Sequence, residues 1–200
     1  PANPNQVLLS LKKILKGKEL VTQQATRGYQ QVFGKLTMDM QSLRSWEEWA
    51  DFYKELLRWE LELDQSTEEG LKSVLATQKN EANELFGRFI SNNYESWFAS
   101  SQRPMLSHEV VGNVVAPQIR RDQKVFFVVI DNLRLDQWMV IKPMITEDFN
   151  ITSENIYSSI LPSATQYARN ALFAGMLPAD IKEKMPQYWK EDHEEGSKNE

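Results

Sequence analysis

Lys124-Val125-Phe126-Phe127-Val128-Val129-Ile130-Asp131 is the stretch on which the reading of the fold turns. Its unbroken apolar run is entirely β-branched or aromatic, with the length and composition of a strand buried on both faces. A carboxylate follows at once. In an open α/β sheet, ligands gather beyond the carboxyl ends of the strands, so Asp131 stands where such a sheet presents its chemistry.

Downstream, Arg134, Asp136 and Gln137 open an amphipathic segment with Leu135, Trp138, Met139 and Ile141 on its apolar side. The spacing predicts a helix returning across the sheet, kinked or ended at Pro143. Ile151 to Leu161 is mostly β-prone, Pro162-Ser163-Ala164 breaks it, and Tyr167, Ala168, Ala171, Leu172 and Phe173 then repeat with helical spacing up to Gly175. Thr165 is thereby placed in the turn that starts a helix. Free backbone N–H groups at such a start can cradle a phosphate. A nearby divalent metal can lower a hydroxyl's pKa enough to make it a nucleophile. The Asp131 carboxylate is suited to hold that metal, and Arg169, one helical turn after Thr165, can approach a bound phosphate from nearly the same face. Spacing alone gives equal weight to plainer roles: Asp131 as the cap of the following helix, Thr165 as a hydroxyl satisfying an N–H, Arg169 as a surface residue.

The strings Asp131-Asn132-Leu133-Arg134-Leu135-Asp136-Gln137-Trp138 and Pro162-Ser163-Ala164-Thr165-Gln166-Tyr167-Ala168-Arg169-Asn170-Ala171-Leu172-Phe173-Ala174-Gly175 resemble the opening of a PglZ domain. That family belongs to the alkaline phosphatase superfamily. The resemblance implies that Asp131 is a metal ligand and that Thr165 is both the phosphoryl-accepting nucleophile and a ligand. It implies a centre of two zinc ions, with the other ligands expected downstream of residue 200. For Asp136 the helical position predicts a structural pairing or a cap instead of metal binding.

Upstream, Asn3, Pro4 and Gln6 form a helix-start signature, and Val7, Leu8, Leu11, Ile14 and Leu15 mark one apolar face. This opening looks like the last helix of a receiver domain, with Pro1 following the final strand and the phosphoacceptor aspartate expected upstream. Lys18 to Met40 reads as a helix with Tyr29, Val32, Phe33 and Leu36 apolar. Ser45-Trp46-Glu47-Glu48 is a capping box ahead of Trp46, Trp49, Tyr53, Leu56 and Leu57, and Ser66-Thr67-Glu68-Glu69 is a second one ahead of Leu71, Val74, Leu75, Ala82, Leu85, Phe86 and Phe89. An antiparallel helical bundle over 18–101 follows, its aromatic residues at core spacing. From 102 to 123, Pro104, Gly112 and Pro117 interrupt any helix, and Val110, Val111, Val114 and Val115 suggest extended pieces of a connecting segment that holds His108. The acidic run around His193 reads as a solvated tail, because consecutive side chains do not converge on one ion.

Composition bounds the alternatives. Formal charge is −5, from 23 basic and 28 acidic residues spread over both halves, so a general polyanion-binding surface is excluded. Phosphate recognition must be local. The absence of cysteine excludes disulfides and thiolate metal sites and fits a reducing cytoplasm. No apolar run approaches the ~18 residues that cross a bilayer.

The expected fold class is thus α+β overall: a receiver helix at 1–17, the helical bundle at 18–101, a connecting segment at 102–123, and the start of an α/β alkaline-phosphatase-like sheet domain at 124–200. The whole is similar to the PorX-like family of response regulators of type IX secretion. That family implies a metal-dependent phosphodiesterase acting on oligonucleotides, with a sensor histidine kinase, a sigma factor and the secretion motor as partners, phosphorylation-dependent dimerisation and a cytoplasmic location. Two other readings stand beside it: a non-enzymatic adaptor acting through dimerisation and partner binding, and a PglZ protein of phage defence.

Overall fold

Ser45 and Glu48 close a reciprocal cap at the head of a helix, and that cap sets the first turn of the architecture. The Glu48 N–H donates to Ser45 Oγ at 3.2 Å, while the backbone N–H groups of Ser45 and Arg44 donate to Glu48 Oε2 at 2.9 and 2.6 Å. These bonds, that from Arg44 foremost, hold the Glu48 carboxyl below the usual carboxylate range. A computed structural model describes residues 28–29, 31–64, 68–119 and 124–189, which divide into two compact units after Phe98.

The first unit has three helices: α1 over the described residues between 28 and 42, α2 at Trp46–Asp64 and α3 at Glu69–Asn93. Phe33, Leu36 and Met40 of α1, Trp49, Phe52, Leu56 and Leu63 of α2, and Leu71, Leu75 and Ala82 of α3 recur at three- and four-residue steps and share one buried core. Tyr29, early in α1, donates to Glu62, late in α2, at 3.1 Å, so these two helices run antiparallel. Gln41 of α1 donates to Glu81 of α3, and Gln78 of α3 to Phe33 of α1, so the third helix runs parallel to the first. Beyond α3 a short turn, Glu95–Phe98, folds Trp97 back onto α2, where its ring meets Trp46 at 5.8 Å and Phe89 at 6.2 Å. The aromatic residues are core here, each buried side of a ring adding about 25 cal/mol per Å² removed from water.

The second unit is also helical. Ser107–Glu109, Val111–Val115 and the short α4, Ala116–Ile119, form a continuous helical segment that passes through a π turn. Then come α5 at Leu135–Asp148, α6 at Thr165–Ala174 and α7 at Pro178–Lys184. Leu106, Ile160, Ala171 and Ile181 are its buried apolar residues. Gly175 ends α6 in the left-handed region at φ 67°, its N–H donating to the Ala171 carbonyl, which is the usual reason for glycine at a helix end.

This corrects the expected fold class. Of the described residues 71% are helical, and they contain no strand and no sheet. The predicted strand at 125–130 is neither helix nor strand, and every residue from Val125 to Ile130 is exposed, Phe126 to 91%. A strand exists through backbone pairing with a neighbour, whereas an apolar run marks only a demand for burial. Among the described residues nothing pairs with this run. The β-prone stretch 151–161 keeps one isolated bridge, Ser158 to Leu106, in which Ser107 donates to the Ser158 carbonyl at 2.8 Å and Ser158 to that of Met105 at 2.9 Å.

Two local expectations are corrected as well. The valines at 110–115 lie in helical turns, since β propensity is decided by packing and not by the backbone alone. Helix α5 continues through Pro143 to Asp148; the ring removes one N–H from the ladder without ending the helix. The receiver-like helix at 1–17, Ser66 and Thr67 of the second capping box, and the acidic run around His193 lie outside the described residues.

Candidate active site

Asp131 occupies an exposed turn with Asn132, whose φ of 59° lies in the left-handed region that asparagine tolerates better than most residues. The Asn132 N–H donates to Asp131 Oδ1 at 3.0 Å, which orients the carboxylate locally. The next helix is not capped by Asp131. Its N-cap is Arg134, whose N–H donates to Gln137 Oε1 at 3.0 Å and whose guanidinium grips Asp136 through both oxygens, at 3.0 and 2.6 Å. That hydrogen-bonded fork holds the Asp136 carboxyl below its ordinary range, and it places Asp136 in the structural pairing that its position predicts.

Thr165 is the first residue of α6 and is exposed; the N-cap is Ala164, whose carbonyl accepts the N–H groups of Tyr167 at 3.0 Å and Ala168 at 2.9 Å. The Thr165 hydroxyl is therefore not the cap. At a helix start the first N–H groups, here those of Thr165 and Gln166, have no acceptor within the helix. Arg169 is exposed one turn further along. The segment that ends in Asp131 and the helix that begins at Thr165 are joined by a ring contact, Phe127 to Phe173, at 6.2 Å between centroids.

A brace behind α6 escaped the sequence reading. Both guanidinium nitrogens of Arg103 donate to Glu109, at 2.6 and 2.7 Å, and the Leu106 N–H donates to Glu109 Oε2 at 2.8 Å. The Arg103 bonds push the Glu109 carboxyl down to about 2 and raise the Arg103 guanidinium. Buried Ser107 accepts the Ile160 N–H on its hydroxyl at 3.1 Å. The turn carrying these residues lies against α6, and a Cβ on Gly175 would stand 3.9 Å from the His108 carbonyl oxygen. The available signal was Pro104 followed by Ser107 and Glu109, a helix-start pattern inside a stretch that otherwise reads as a connector.

Residues 19–98 match the family model of the PorX response regulator linker domain, and residues 110–200 match that of the BREX system PglZ alkaline phosphatase-like domain. The chain belongs to the PorX-type family of response regulators with a PglZ domain. No curated protein matches the chain. Both site residues fall inside the PglZ match, at the start of its turn after 130 and at the start of α6.

Domains of the alkaline phosphatase-like kind are typically metal-dependent. Asp131 and Thr165 offer one carboxylate and one hydroxyl, and no group of three or more His, Asp or Glu side chains among the described residues is arranged to hold a metal ion. Zinc sites take four ligands, chiefly nitrogen, sulfur and carboxylate. The described residues by themselves do not fit a zinc ion. His108, half-buried with Nδ1 enclosed and without a hydrogen-bond partner, is held below its ordinary pKa by burial. Among the described residues no helix is long and apolar enough to cross a membrane.

Proposed function

We propose that this PorX-type chain couples a signalling linker, 18–101, through a connecting segment, 102–123, to a phosphoryl-transfer region, 124–200, in which Thr165 is the nucleophile. Thr165 Oγ forms a bond to the phosphorus of a phosphodiester as the bond to the leaving oxygen breaks, and water then releases the phosphate from threonine. Backbone N–H groups at the start of α6 receive a non-bridging oxygen, and Arg169, on the same face, adds positive charge to it. Asp131 is assigned as one ligand of a divalent metal, zinc by the family resemblance, whose other ligands come from residues other than those described. An oligonucleotide is the substrate proposed on the same ground.

The observation that carries this reading is the position of Thr165: first residue of α6, exposed, with capping done by Ala164. A threonine spent on capping has its hydroxyl occupied by an N–H. This one is not, and it falls inside the match to an alkaline phosphatase-like domain. Hydrolysis of bis(4-nitrophenyl) phosphate by the intact protein is expected to fall by more than about 10³-fold in Thr165→Ala, as removal of a nucleophile does. Turnover that survives the substitution rules Thr165 out.

A second reading is favoured by the match of 19–98 to a response regulator linker domain: an adaptor that signals through partner binding, with a sensor kinase upstream and a sigma factor or secretion motor downstream. The same assay separates the two. An intact protein that turns over no phosphodiester, yet still binds its partner, is the adaptor.

A further inference from the structure

Between α1 and α3 lies a groove of about 480 Å³ whose floor includes Gln78. Gln78 is only 6% exposed. Its Nε2 donates to the Phe33 carbonyl at 2.6 Å and to Thr37 Oγ1 at 2.7 Å, while the Thr37 hydroxyl donates to the same carbonyl at 3.0 Å. This arrangement fixes the amide. Turned over, it would set Oε1 against the Phe33 carbonyl, acceptor against acceptor. With both amide hydrogens committed to α1, Oε1 is enclosed in the protein and no donor from the chain reaches it. Buried acceptors of this kind are rare and each calls for a donor.

The walls of the groove have room. Gly34 lines it from α1 and Gly70 from α3, and a Cβ built on either meets nothing within 4 Å. Alanine is the better helix former at such positions, so neither crowding nor helix propensity asks for glycine there. Phe33, Leu71 and Val74 supply apolar surface, and Glu68 is the charged residue among the described lining, which disfavours anions. Volume, apolar walls and one convergent polar atom are the ordinary features of a small-molecule site.

We propose that this groove binds a small, uncharged planar aromatic molecule bearing a single ring N–H, of the indole class, with the N–H donated to Gln78 Oε1 and the ring laid over the bare backbone at Gly34 and Gly70. The site lies in the linker domain and is independent of any chemistry at Thr165.

The test is titration of the intact chain with indole and with benzothiophene, which has the same shape and no donor, followed by amide NMR shifts. Indole should bind saturably and about tenfold more tightly than benzothiophene, the factor expected of one hydrogen bond. Gln78→Leu should abolish that preference. Gly70→Leu, which fills the groove at a position where leucine suits a helix, should abolish both bindings while leaving the helical circular dichroism unchanged. Absence of saturable indole binding, equal binding of the two probes to the unsubstituted chain, or binding unmoved by Gly70→Leu overturns the proposal.

Discussion

Phe127 and Phe173 meet edge to face, their ring planes at 68°. The first lies four residues before Asp131 and the second eight after Thr165, so the contact ties the two candidate residues into one piece of structure. Each ring is about half exposed, which limits what the pair contributes to stability. A double-mutant cycle of Phe127→Ala and Phe173→Ala, read by denaturant unfolding, should give a coupling of about 0.5–1.5 kcal/mol, the usual worth of an aromatic pair beyond its area. Additivity within about 0.3 kcal/mol would mean that the contact holds nothing in place.

Glu109 carries the strongest pH signature. Its carboxyl is ionised down to about 2 in the fold because Arg103 and the Leu106 N–H bond the charged form. A depressed folded pKa stabilises above the unfolded value of about 4.3 and loses that stabilisation as pH falls toward the folded one. Glu109→Gln should therefore destabilise the second unit by on the order of 2–3 kcal/mol at pH 7, and the difference from the parent should shrink between about pH 4.5 and pH 2. A deficit that stays constant over that range would point to lost packing.

His108 should act at a higher pH. Burial favours its neutral form, the neighbouring Glu109 and Asp180 oppose that effect, and Arg103 reinforces it. Because the folded pKa is lowered, the unfolded chain takes up a proton first as pH drops below about 6.5, and folded stability declines from there. Unfolding midpoints measured at pH 8 and pH 5.5 should differ in the parent and converge in His108→Gln, which cannot titrate.

Ser45→Ala is a local test of the first unit. It removes the acceptor for the Glu48 N–H while leaving the Arg44 and Ser45 N–H groups on the carboxylate, so about 1 kcal/mol of stability should go, near the middle of the range for lost caps. Thermal unfolding followed at 222 nm would measure it.

The legible parts of this chain were those governed by local rules. The Ser45 box is written in four residues, and the stripes Phe33-Leu36-Met40 and Leu71-Leu75-Ala82 follow from 3.6-residue periodicity. Thr165 at a helix start could be read from Pro162 to Ala164. The run Val125 to Ile130 was not legible as unpaired, because strand formation depends on neighbours that composition does not name. The helical valines at 110–115 failed for the same reason, their β-branched character being overridden by the turn that Glu109 organises. The Arg103–Glu109 brace joins residues six apart across a proline and carries no periodic signal at all.

Thr165 allows the cleanest separation of chemistry from folding. As the first residue of α6, with Ala164 as its cap, its side chain is not needed to start the helix, and substitution of an exposed position away from such features usually shifts stability by no more than about 0.5 kcal/mol. Thr165→Ala should therefore unfold at nearly the parent midpoint while losing phosphodiester turnover. Thr165→Ser keeps a primary hydroxyl at the same place and should retain measurable turnover, and trapping by acid quench should recover phosphate on residue 165 in the parent and in the serine variant but not in the alanine variant. If Thr165→Ala instead loses stability by several kcal/mol, the threonine is structural and the nucleophile must be sought elsewhere. If both variants turn over substrate at the parent rate, no covalent step passes through residue 165.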